Sequence, residues 1–169
     1  MENFVFPHFG AVNLSCLKDY YTVEIDVKGN AVKLDLFFDY NSIGRHYANV
    51  MKSFIEEIPS LDIQNQTYIE DDYRDSKWGT VKEYLAYHLK ELDKDDLSEL
   101  IDFDYKVVNP EKQLFSRLKL VAVTLHPDLK SALGFSAFFD YTVCKEFSDC
   151  VIVVNTDAFG KLDHLDWES

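Results

Sequence analysis

The chain has 169 residues, 47% apolar and 15% aromatic, with 30 acidic side chains against 17 Lys and Arg and a formal net charge of −13. That length suits one domain spanning 1–169 with an ordinary core, and the aromatic content excludes extended disorder. The charge excludes a phosphate-neutralising nucleic-acid interface and an anionic membrane surface, and it admits a basic protein as partner.

The opening MENFVFPHFGAVNLSC has no Lys or Arg before Lys18, and Pro7, His8, Gly10 and Asn13 interrupt its apolar residues. It does not read as an export signal, and no run reaches the roughly 18–20 apolar residues of a membrane span. The cysteines, Cys16, Cys144 and Cys150, make an odd count. Reduced thiols and a cytoplasmic location are expected.

From Tyr21 the residues Val23, Ile25 and Val27 alternate with polar ones, and after Gly29-Asn30 the alternation resumes with Val32, Leu34, Leu36 and Phe38. This predicts a hairpin whose two apolar sets share one face. A two-residue turn at Gly29-Asn30 pairs Val27 with Val32, Ile25 with Leu34 and Val23 with Leu36, and sets Asp26 opposite Lys33. Apolar residues from Ile43 to Ile58 then recur at helical spacing, with Asn41 or Ser42 as cap and Pro59 as terminator. A second helix is expected from Asp62, broken at DSKWG. A third opens on a capping box of Thr80 and Glu83, with Val81, Tyr84, Leu85, His88, Leu89 and Leu92 on one stripe. DKDDLSELI either continues it or forms a short helix of its own.

Strand patterns return with LFSRLKLVAVTLH, GFSAFFDYTV, the continuous apolar run in DCVIVVNTD, and LDHLDWES. The expected architecture is α+β, in the order two strands, three to four helices, four strands, with the helices on one face of a mainly antiparallel sheet. Between the second and third of these strands, KEFS reads as a turn. A four-residue loop pairs Cys144 with Asp149 and turns Cys150 to the other face, whereas a five-residue loop sets Cys144 against Cys150. Without a second ligand pair the thiols read as buried and inert, and no metal site is expected.

His126 and Asp128, and His164 and Asp166, form His-x-Asp pairs, but the first is ordinary turn chemistry and the second lies on a solvated strand face. DKDDLSELIDFD fails as a calcium loop, because Ser98 stands where the sharp-turn Gly belongs. Asp140 has apolar neighbours that raise a carboxyl pKa. His126, Asp140 and His164 therefore define one candidate site, a small-ligand or hydrolase cleft between sheet and helices. No phosphate loop, nucleophile elbow or other cofactor motif is present, so no cofactor is expected.

Charge placement gives the other candidate. Between Glu56 and Tyr105 there are fifteen acids against five bases, so −10 of the total −13 falls on this stretch. Asp71, Asp72, Asp75, Glu91, Asp93, Asp95, Asp96 and Glu99 are interleaved with Tyr68, Tyr73, Trp78, Tyr84, Tyr87 and Tyr105. Acids beside exposed aromatics suit a docking face for a basic protein.

FGAVNL, YYTVEIDVKGNAVKLDLFFD, VKEYLAYHLKEL, LKLVAVTLHPD, FFDYTV followed by SDCVIVVN, and the terminal WES resemble an uncharacterised bacterial family, the domain-of-unknown-function family numbered two-zero-zero-four. The resemblance implies a bacterial cytoplasmic protein and the same α+β order, and brings no catalytic residues. The residues favour a non-catalytic acidic protein-binding domain, such as an immunity-type inhibitor of a basic partner, over a ligand-binding protein or hydrolase.

Overall fold

The computed structural model describes residues 3–75, 79–127 and 134–169. Two short strands, β1 (Asn3–Phe6) and β2 (Gly10–Asn13), form an antiparallel pair of their own. Next come β3 (Tyr20–Val27) and β4 (Asn30–Phe37), then α1 (Arg45–Glu56), α2 (Ile58–Asp75), α3 (Thr80–Glu91), α4 (Lys94–Leu100) and α5 (Pro110–Phe115). The chain closes with β5 (Lys119–Pro127), β6 (Phe135–Thr142), β7 (Val151–Asp157) and β8 (Leu162–Glu168). The last six strands make one sheet in sequence order. Every pairing is antiparallel except β4 with β5. A parallel pair needs a crossover, and the helical block supplies it. The α+β order holds, with β1 and β2 and an extra helix added to it. Among the described residues no helix is long and apolar enough to cross a membrane.

Strand alternation sorts the sheet into two unlike faces. The register carries Val23, Leu34, Val123, Phe139, Val154 and Leu165 across all six strands in one row. A neighbouring row runs through Leu120, Tyr141, Ile152 and Trp167. These residues face the helices: Leu34, Val123, Phe139, Ile152 and Val154 are all fully buried. They join Met51, Ile55, Ile58, Tyr84 and Leu85 from the helices in one core cluster. The other face carries Lys33, Asp35, Thr124, Phe138, Asp140, Asn155 and His164.

The first hairpin corrects the expected register. Val27 pairs with Asn30, Ile25 with Val32, Val23 with Leu34, and Glu24 rather than Asp26 stands opposite Lys33. The turn is Lys28-Gly29, with φ of 54° and 84°. Positive φ at both central residues is the type I′ requirement, and Gly29 meets it without strain. The shift is two residues, so both apolar sets keep the core face, with Val32, Leu34 and Leu36 buried.

Helix boundaries were also misplaced. The cap of α1 is Gly44, with no side-chain bond, instead of Asn41 or Ser42. Pro59 does not end a helix but sits in the first turn of α2, where its missing N–H has no partner to lose. Thr80 is inside α3 and makes no capping box; Gly79 precedes the helix, and the Asp72 carboxylate accepts from the Val81 N–H at 2.8 Å. DKDDLSEL forms the separate α4, capped by Asp93, whose side chain accepts from the Asp95 and Asp96 amides. LFSRL is not strand: Asn109 caps α5, Pro110 opens it, and β5 starts only at Lys119.

The β6–β7 connection is longer than either expected loop. Pairing stops at Tyr141 with Ile152, on the register of the four-residue loop, and residues 143–150 leave the ladder. Both Cys144 and Cys150 are buried and free, while Cys16 is exposed and free. Tyr84 explains the loop's shape. Its hydroxyl accepts from the Val143 amide at 3.1 Å and donates to the Cys150 carbonyl at 3.3 Å.

Candidate functional site

The acidic stretch divides between structural and solvated roles. Asp71 and Glu91 are exposed, Asp72 caps α3, and the side chain of Asp75 lies outside the described residues, as do Trp78 and Asp128. Glu91 pairs with Lys90 at 2.9 Å. Asp93, Asp95 and Glu99 are exposed on α4, and Asp96 is half-buried. Asp93 spends its carboxylate on the helix N-terminus, where acids are favoured by the helix dipole.

The interleaved aromatics divide between interior and surface. Tyr84 is fully buried. Tyr73 stacks on Phe115 at 4.3 Å and donates to Glu111. Tyr68 is half-buried, while Tyr87 is 39% exposed, with its ring centroid 5.1 Å from that of Trp167. A further group of exposed apolar side chains lies just after α4. There Phe103 is 38%, Tyr105 49% and Val107 82% exposed, flanked by Asp102 and Asp104. Gln113 holds this loop in shape, accepting from the Asp102 amide and donating to the Asp102 and Val108 carbonyls. Two shallow grooves border it, one of about 640 Å³ against α5 with Leu100, Tyr105 and Val108, and one of about 510 Å³ with Glu99, Phe103, Asp104 and Arg117. Phe103 and Val107 were not singled out in the sequence, because an apolar residue in an acidic segment reads as a buried one.

His126, Asp140 and His164 do not line a cleft between sheet and helices. Their strand positions put all three on the face turned away from the helices, which corrects that expectation. Nor do they converge. His126 pairs with Ser136, four residues before Asp140 along β6, a separation of about 13 Å at strand rise. His164 pairs with Asn155, two strands from Phe138, and its ring accompanies Asp163 at 2.7 Å. His126 stacks on Phe37 at 4.4 Å and meets the edge of Phe138 at 5.8 Å.

Asp140 is the perturbed group of this face. Burial, and then the charges of Glu168 and Asp35, push its carboxyl up to about 6, with Lys33 opposing. Asp35 behaves oppositely. Burial works against its ionisation, but hydrogen bonds from Lys33, Thr22 and Tyr20 outweigh that and hold its carboxyl below the usual range. The Lys33 ammonium is 2.8 Å and the Tyr20 hydroxyl 2.9 Å from it. Asn155, 8% exposed and opposite Phe138, was missed. Its signal was a polar residue inside VIVVNTD.

His88, on the apolar stripe of α3, is fully buried. Its Nδ1 donates to the Tyr84 carbonyl at 2.8 Å, and its Nε2 accepts from the Ser148 hydroxyl at 2.9 Å. Burial lowers its pKa, opposed by the Tyr84 carbonyl. The neutral ring is thus a tie between α3 and the 143–150 loop. Among the described residues no three His, Cys, Asp or Glu side chains are grouped to hold a metal ion. Comparison of the chain with family models, with curated proteins and with solved structures finds no match.

Proposed function

We propose that this is a non-catalytic, cytoplasmic protein-binding domain whose acidic surface receives a basic protein, in the manner of an immunity-type inhibitor. The observation that carries the reading is the exposed trio of Phe103, Tyr105 and Val107 set among Glu99, Asp102 and Asp104. Acids steer a basic partner toward the surface, and desolvated aromatics then hold it. A solvated helix face needs no such apolar display, and a loop pinned by Gln113 presents it with little ordering entropy left to lose. The lack of convergence among His126, Asp140 and His164 counts against the hydrolase reading, since acid–base work needs groups within hydrogen-bond reach.

The test is affinity capture from host lysate at low and moderate salt. Three baits are compared: wild type, a charge variant (Asp95→Asn, Glu99→Gln, Asp104→Asn) and an aromatic variant (Phe103→Ala, Tyr105→Ala). A basic protein held by the wild type is expected to be released by raised salt and by either variant. Retention unchanged across all three baits and both salts refutes the reading.

A further inference from the structure

Where β4 gives way to α1 the chain reads FFDYNSIGRHY, and three of its rings close on one recess. Phe38, Tyr40 and Tyr47, with Ile43 and Pro127, line a cavity of about 220 Å³, and Asp39 stands among them. Phe38 is buried, Ile43 and Tyr47 are half-buried, and Tyr40 is 61% exposed. The walls are fixed. The Phe38 amide donates to the Asp19 carbonyl at 3.0 Å and the Ile43 amide to the Leu14 carbonyl at 3.1 Å. The Tyr47 hydroxyl donates to the Gly134 carbonyl at 2.9 Å, and its ring lies edge-on to Phe135 at 5.8 Å. Gly134, with φ of 79°, comes so close that a Cβ there would fall 2.6 Å from the Tyr47 Cε2. A recess built this way has little left to order when a ligand enters.

Its charge is of one sign. Among the described residues that line it there is no Lys, Arg or His, and the one charged side chain is that of Asp39. Burial, and then the charge of Asp39, push the Tyr47 hydroxyl up to about 12, so the field of this carboxylate reaches the rings. A neutral apolar guest would strip water from the carboxylate and return no charge. A Lys ammonium or an Arg guanidinium returns the charge but brings N–H donors, which ring faces satisfy poorly. A fully methylated ammonium has no N–H to satisfy. Its charge is carried on apolar methyl groups, which suit the recess, and aromatic faces attract it. The volume lies below the roughly 300–1,000 Å³ of sites that enclose drug-sized ligands, and so suits a head group rather than a large molecule.

We propose that Phe38, Tyr40 and Tyr47, with Asp39 beside them, form an aromatic cage for a quaternary methylammonium head group. The cage shares no residue with the α4 loop and goes beyond the protein-binding reading without resting on it.

The probe is choline, titrated at constant ionic strength while amide shifts are followed by NMR, with its neutral isostere 3,3-dimethylbutan-1-ol as comparison. Saturable shifts at Asp39, Tyr40 and Tyr47 are expected, with a dissociation constant on the order of 1–10 mM for so small a group. The alcohol is expected to bind at least about threefold more weakly. Asp39→Asn removes that preference, and Tyr40→Ala, at an exposed position, weakens choline by at least about threefold while the rest of the spectrum stays unchanged. A third arm uses acetyl-Gly-Lys-Gly-amide with its lysine trimethylated. Tighter binding of this peptide than of choline assigns the head group to a modified protein, the reverse order assigns it to a small molecule, and either supports the cage. The loop variant Phe103→Ala, Tyr105→Ala keeps the choline response, which separates this site from the loop. Equal binding of choline and the alcohol, a choline response unchanged by both Asp39→Asn and Tyr40→Ala, or no saturable shift with either ammonium overturns the proposal. None of these outcomes bears on capture through the loop.

Discussion

Replacing Asp140 by Asn removes a charge that the fold tolerates at a cost. In the unfolded chain the carboxyl titrates near 3.8, while in the fold it is pushed up to about 6 by burial and by Glu168 and Asp35. The folded state therefore binds a proton more tightly than the unfolded state between these values. Stability that is complete below pH 3.8 is lost as pH rises through 6. At about 1.4 kcal/mol per pKa unit, the difference sets a ceiling of about 3 kcal/mol at pH 7. Asp140 is only half-buried, and solvent screening brings the expected gain for Asp140→Asn to about 1–2 kcal/mol, or about 2–8 °C in Tm.

The assay is urea unfolding of both proteins from pH 4.5 to pH 7.5. The difference in stability is expected to grow in favour of the variant as pH rises and to level off above pH 7. Comparing the two proteins also removes the contribution of His88, which is common to both. A difference that is flat with pH, or a variant less stable than the wild type at pH 7, refutes the assignment of a desolvated, repelled carboxylate.

Asp72→Ala leaves the Val81 amide without its carboxylate and is expected to cost about 1 kcal/mol, read as a lower urea midpoint with unchanged slope. Gly160→Ala is expected to cost about 2–4 kcal/mol, because φ there is 77° and an added Cβ would overlap the Leu61 side chain; a loss below about 1 kcal/mol would mean that the turn relaxes freely. His88, with its pKa lowered from the ordinary 6.5 by burial, is expected to stay neutral in the fold while the unfolded imidazole takes a proton. Stability is then lost as pH falls below 6.5, by at most about 1.4 kcal/mol per pH unit. The loss shows most clearly in the Asp140→Asn background, where no opposing carboxyl titrates. Imidazole ¹⁵N shifts of His88 that titrate at the ordinary value would contradict this.

Periodicity was enough to reveal the six strands of the main sheet, the helical block and the two faces of that sheet, because alternation and helical spacing are written directly in the apolar residues, while the four-residue strands β1 and β2 were too short to show a period. Where a boundary depends on a single backbone group, the pattern said less. Pro59 has the same letters whether it ends one helix or opens the next, and only the bonds from Ser60 and Leu61 to the Glu57 carbonyl decide it. LFSRL alternates like a strand, yet Asn109 and Pro110 form a helix start that local polarity does not advertise. The cysteine loop eluded its length because what ends the ladder is the Tyr84 hydroxyl, a residue 59 positions from the Val143 amide it meets. Asp140 was legible as a perturbed carboxyl from its neighbours along the strand. Asn155 and Glu168, which share its face, come from other strands and enter only through register.

The hairpin shows why register needs information from outside the strands. Turns at Gly29-Asn30 and at Lys28-Gly29 differ by two residues in pairing, so both keep Val23, Ile25, Leu34 and Leu36 on the core face. The hydrophobic pattern is therefore indifferent between them, and a glycine with positive φ serves either turn. Two contacts favour the observed one. The Asp26 carboxylate accepts from the Gly29 amide at 3.1 Å, closing the turn locally. Across the molecule, the Lys28 ammonium lies 2.8 Å from Asp62, whose side chain on α2 is only 4% exposed. That carboxylate also accepts from the Tyr141 hydroxyl at 2.9 Å, so Lys28 supplies the charge of a site that α2 and β6 have already built. A buried carboxylate left without its cation costs about 3–5 kcal/mol, more than the roughly 1 kcal/mol of placing a non-glycine residue at positive φ. The strain at Lys28, with φ of 54°, is thus balanced by turn and helix together.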